Sequence, residues 1–156
     1  MKPTFFRATQ QTETTHTPAK VLAGWQDTFH TGLRLCEQKR WQEALPYFHC
    51  ALETAEILMA GDGIKPGRAH ELFTSAASML IDTFGNLGSE DRRRQAYYAA
   101  VKVLTRELPR HPGEQACLGE HLESLYRQLR HSNLATHQPD LGIAFVHHHI
   151  RRTAAH

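Results

Sequence analysis

Apolar residues recur three and four positions apart in one segment of this chain after another. No segment alternates apolar and polar residues with Val, Ile and Thr enrichment, as a half-buried strand would. The clearest stripe is Leu22, Trp25, Phe29, Leu33 and Cys36, which falls on one face of a helix. Thr17 is placed to cap that helix, and Pro18 fits its first position, where a backbone N–H has no partner to lose. Lys39 and Arg40 lie near its end, where positive charge suits the helix dipole. A second helix is predicted from about Trp41 to Ala60, with Ala44, Leu45, Phe48, Ala51, Leu52, Ala55 and Leu58 as its stripe and Gly61 as its C-terminal cap. A third, from about Arg68 to Asn86, turns Phe73, Ala76, Ala77, Leu80, Ile81 and Phe84 inward. Ser89 then reads as a cap ahead of Glu90 and Asp91. The fourth helix carries Tyr97, Ala100, Val101, Leu104 and Leu108 and ends before Pro109. Pro112 and Gly113 open a fifth, striped by Leu118, Leu122, Leu125 and Leu129, and Leu141, Phe145 and Ile150 suggest a short sixth. Helices of this length joined by short turns imply antiparallel neighbours. The expected fold class is all-α, with five to six helices in antiparallel pairs.

Residues 1–18 are rich in Thr and Gln and show no period, so they read as a flexible arm, leaving 19–156 as a single helical domain. A 40% hydrophobic and 22% charged composition is enough to bury a core, which argues against wholesale disorder. The formal charge of +2 is too small to call for nucleic acid or an anionic membrane as a partner. The basic run Arg92-Arg93-Arg94 follows Glu90 and Asp91 and reads as a mixed solvated face. No stretch approaches the length of a membrane span, and the start lacks the continuous apolar run of a secretory signal. Cys36, Cys50 and Cys117 are odd in number with no paired spacing, as reduced thiols in a cytoplasmic protein would be.

Chemistry-bearing motifs are scarce. There is no Gly-x-Ser-x-Gly, no dinucleotide glycine fingerprint and no Cys-x-x-Cys, and Gly61 to Gly67 lacks the ending of a phosphate loop. Twelve histidines raise the question of a metal, yet no two stand four apart as ligands on one helix face. Cys117 and His121 do stand four apart, and read best as a core thiol beside a surface imidazole. His147, His148 and His149 point in three directions on a helix. His49 and Cys50 diverge in the same way, which leaves no nucleophile–base pair. On these grounds neither catalysis, nor a cofactor, nor a metal site is expected.

The stretch from Trp25 to Glu56 resembles one unit of the tetratricopeptide-repeat (TPR) superfamily. Gly32, Leu35, Trp41, Ala44, Phe48 and Ala51 stand at that family's spacing, and the run from Trp41 to Phe48 is the most specific part. The small Gly32, Ala44 and Ala51 would let two helices approach closely, with Phe48 filling the space between them. Thr28 replaces the usual early aromatic, Glu56 stands where a closing proline would fall, and Pro46 lies early in the second helix. The next pair, Arg68 to Leu108, keeps Ala96 but otherwise departs from the motif. The resemblance implies a scaffold that binds a protein or peptide in a groove lined by the first helix of each pair, as an adaptor or a small chaperone-like module. A helical metal- or ligand-responsive regulator using Cys and His groups is the alternative.

In such a stack the flank of the first helix carrying Gln26, His30, Leu33, Arg34 and Glu37 would face the groove. Thr74, Ser78 and Asp82 form a polar line on the third helix that would continue it. The leucine stripe of the fifth helix needs a cover, which points either to the tail or to a second copy in a homodimer.

Overall fold

The structure is a computed structural model that describes residues 17–132. The arm before it, with Phe5 and Phe6, and the expected sixth helix with His147 to His149 lie outside the described residues. Among the described residues the chain is all helical, with no strand: α1 Pro18–Glu37, α2 Trp41–Ala60, α3 Pro66–Asn86, α4 Glu90–Glu107, a 3-10 turn Pro112–Glu114, and α5 Gln115–Ser132.

The boundaries follow local chemistry. Pro18 and Pro66 occupy first-turn positions, so α3 starts two residues before the expected Arg68. Thr17 and Ser89 precede their helices but make no side-chain capping bond; the Thr17 carbonyl accepts from Lys20 and Val21 instead. α1 and α3 end in the same reverse turn. Lys39 and Gly88 take left-handed φ values of 58° and 71°. The next amide reaches back, Arg40 to the Leu35 carbonyl at 2.8 Å and Ser89 to the Phe84 carbonyl at 3.0 Å. α2 runs through Pro46, whose ring sits on the exposed side.

α1 and α2 meet through small-against-large packing. Phe48 is fully buried, and its ring lies so close to Gly32 that a Cβ there would sit 2.7 Å from Phe48 Cε1. Phe29 meets the Phe48 ring edge-on at 5.8 Å between centroids and stacks on Trp25 at 4.6 Å. α3 packs against α2, α4 and α5, and most of its 21 residues are buried. In the α3–α4 and α4–α5 pairs the beginning of one helix lies beside the end of the other, through His70 with Glu107 and Arg93 with Leu129.

Arg93 corrects the reading of the basic run as a solvated face. It is 1% exposed, it donates to Glu90 Oε2 at 2.8 Å, and its guanidinium also bonds the carbonyl of Leu129 near the end of α5. Arg94, by contrast, stays exposed. Leu118 and Leu125 of α5 are fully buried within the chain, where α5 packs on α3 and α4. Leu122 and Leu129 are half-buried, so the described residues cover only part of the stripe for which the tail or a second copy was expected.

The Gly32–Phe48 contact gives a paired expectation. Phe48→Ala should cost about 3 to 5 kcal/mol of unfolding free energy, as large core deletions do. Gly32→Ala should cost about 1 to 3 kcal/mol, because the Phe48 ring must shift. Urea titrations of both variants check this. A Gly32→Ala protein as stable as the parent would show that the ring has room to spare.

Candidate functional site

A groove of about 460 Å³ runs between α2 and α4, with α3 beneath it. Phe73, Leu80 and Phe84 of α3 form its floor, Leu52 of α2 one wall, and Ala96, Ala99, Ala100 and Val103 of α4 the other. The groove exists because α4 turns alanines toward α2, where larger side chains would have closed the gap. His49 and Glu56 of α2 and Arg92 and Gln95 of α4 supply its polar edge.

The electrostatics match an apolar lining. The His49 ring meets Phe84 edge-on at 6.4 Å, and burial lowers its pKa, with Glu53 pulling weakly the other way. Burial raises the Glu56 carboxyl, opposed by Arg106. Both shifts lean toward the neutral form, although both residues are exposed at the groove's edge.

The residues expected to bind a partner separate into two sets. Gln26, Arg34 and Glu37 are exposed on α1 and His30 is half-buried there. Leu33, in contrast, is 2% exposed and belongs to the core, because it continues the Trp25–Phe29 stripe one turn further. Thr74 and Ser78 are also buried. The sequence reading treated α3 as one-sided, whereas three neighbours enclose it, so its polar line turns inward. The Thr74 hydroxyl is satisfied by donating to the His70 carbonyl at 2.8 Å. Asp82 closes that line half-buried, accepting from Gln128 of α5 at 3.4 Å, and burial pushes its carboxyl up to about 6.

Burial favours the neutral form of two thiols, Cys36 and Cys50. Burial pushes Cys36 up to about 11 against a weak contact with the Thr83 hydroxyl at 3.7 Å, and it raises Cys50 as well. Cys117 is exposed on α5, with His121 half-buried one turn on.

The sequence reading missed a further constellation. It sought metal ligands on single helices, but His70 of α3 meets Glu107 of α4 and His111 of the following turn, with one donor atom from each within 4.8 Å of the others. Glu107 and His111 stand four apart, but Pro109 between them ends the helix pattern, and His70 lies 37 residues before Glu107.

A scan against protein-family models, a search of curated proteins and a search of solved structures each return no match.

Asp82 carries a pH expectation. Its folded pKa lies above the ordinary 3.8, so its stabilising contribution is present below that value and lost as pH rises through about 6. Asp82→Asn should therefore be more stable than the parent by about 1 to 3 kcal/mol near pH 8, with the gain shrinking toward about pH 4. Unfolding titrations at the two pH values check it. An equal difference at both would place the cause outside ionisation.

Proposed function

We propose that this chain is a non-catalytic helical scaffold, TPR-like in its α1–α2 pair, that holds an apolar segment of a partner protein or peptide in the groove between α2 and α4. The observation that carries the reading is the groove itself: three helices build an apolar slot floored by Phe73, Leu80 and Phe84, with polar groups only at its edge. Protein-binding surfaces share that arrangement of an apolar centre within a polar rim. Glu56 and Arg92 at the edge offer one charge of each sign, which would orient a segment without demanding a strongly charged one. No described helix is long and apolar enough to cross a membrane. An adaptor or small chaperone-like role in the cytoplasm fits this description.

The α1 flank of Gln26, His30, Arg34 and Glu37 is a second surface, without an apolar centre now that Leu33 is known to be buried. Peptides selected from a displayed library against the full chain separate the two. Ala99→Trp fills the groove from an exposed position and should weaken selected peptides at least about tenfold, or roughly 1.4 kcal/mol. Arg34→Glu should leave them within about twofold. Both variants must keep the parental melting temperature. Selection of no peptide, or of peptides indifferent to Ala99→Trp, would sink the groove reading.

A further inference from the structure

His70 stands in the second turn of α3, Glu107 ends α4, and His111 follows in the turn that leads to α5. His70 Nε2 lies 3.5 Å and His111 Nε2 3.0 Å from one oxygen, Glu107 Oε2. Arg110 donates to the other oxygen, Oε1, at 3.3 Å. The arginine thus holds the carboxylate turned, with Oε2 toward both imidazoles, as outer partners of metal ligands commonly do. His70 and Glu107 are 1% and 4% exposed, whereas the His111 side chain is 25% exposed and leaves a way in.

Hydrogen bonding does not account for this arrangement. His111 Nε2 is buried and makes no hydrogen bond, although it lies 3.0 Å from the carboxylate oxygen. Its in-plane direction therefore points elsewhere than at that oxygen. His70 Nδ1 is likewise buried without a partner, and an ion held on Nε2 would leave it so; an ion is called for by His111 Nε2 and by the geometry around Glu107. The His70–Glu107 separation of 3.5 Å is long for a bond to a carboxylate. Buried polar atoms left this way are uncommon in folded proteins and call for an absent partner.

The spacing suits a shared ion. Four ligands around a tetrahedral cation at about 2.0 to 2.1 Å lie roughly 3.4 Å from one another. The 3.0 Å and 3.5 Å separations from Glu107 fall on either side of that edge, and the three donor atoms all lie within 4.8 Å of one another. Glu114 lies over Gly67, where a Cβ would sit 2.9 Å from its Oε2, and acts on His70 electrostatically without joining the three-residue cluster. We propose that His70, Glu107 and His111 bind a divalent transition cation of the zinc type, with water completing the coordination. The ion would clip the start of α3 to the end of α4 and the turn beyond it. Two imidazoles and one carboxylate are a borderline-soft set that favours zinc over magnesium or calcium. The proposal is independent of the groove, which shares none of these residues.

The test uses the full chain stripped of metal with a chelator and titrated with Zn²⁺ by calorimetry, with Co²⁺ as a spectroscopic probe. One equivalent of Zn²⁺ should bind, and Co²⁺ should give the intense visible bands of a four-coordinate site. His111→Ala, at the most open ligand, and Glu107→Gln should each weaken binding about tenfold or more. Replacing His147, His148 and His149 by alanine should leave it within about twofold. Because a buried substitution can unfold the chain, the tail-substituted but otherwise native protein is also followed by NMR, where Zn²⁺ should shift two imidazole ring signals. Binding that survives His111→Ala, binding that disappears with the tail histidines, or no zinc-dependent ring shift overturns the proposal. The last outcome would leave His70, Glu107 and His111 as a buried ion-pair cluster only.

Discussion

A helix packed against three others has little surface left for polar side chains, and α3 is such a helix. Its composition answers that constraint with small residues on several faces: Ala69, Ala76, Ala77 and Ser78 are all buried. Thr74 and Thr83 are buried too, and each returns its hydroxyl to a carbonyl one turn back, which removes the cost of burying it. The neighbouring helices take their places from this core. α2 meets it near Phe84, α4 near His70, and α5 near Asp82. The groove rests on the same core, since its floor is the buried α3 face of Phe73, Leu80 and Phe84.

The helices were legible because their stripes are local. Trp25, Phe29, Phe48 and Phe84 recur at helical spacing, and each is buried. The close approach of Gly32 and Phe48 was legible for a similar reason: a glycine and an aromatic at fixed positions in adjoining helices leave few ways to pack. What could not be read was which helix would be central. A stripe tells how one face of a helix is covered, and says nothing of a second or third neighbour. Thr74 and Ser78 therefore looked like surface residues, and Leu33 was counted on both the core stripe and the flank. Arg93 was hidden by its context, since nothing in a run of three arginines marks the one that will turn inward to the Leu129 carbonyl.

The same limit explains the candidate sites. The groove draws on α2, α3 and α4, so its lining has no spacing of its own. The His70, Glu107 and His111 cluster is more dispersed still, and it forms only because α4 returns beside the start of α3.

Energetics makes that cluster the more informative of the two. An apolar groove can arise as a by-product of small residues on a helix. A buried carboxylate cannot be explained so cheaply, because desolvation opposes it and ion-pair attraction in the interior often fails to repay the loss. Glu107 is 4% exposed, and the permanent charge that pairs with it among the described residues is that of Arg110. Burial lowers the pKa of His70, which works against its serving as a full counter-charge, and Glu107 works only partly in the other direction. A cation between the three side chains would resolve both difficulties together. It would neutralise the carboxylate, and it would do so through the neutral form of imidazole that burial already favours.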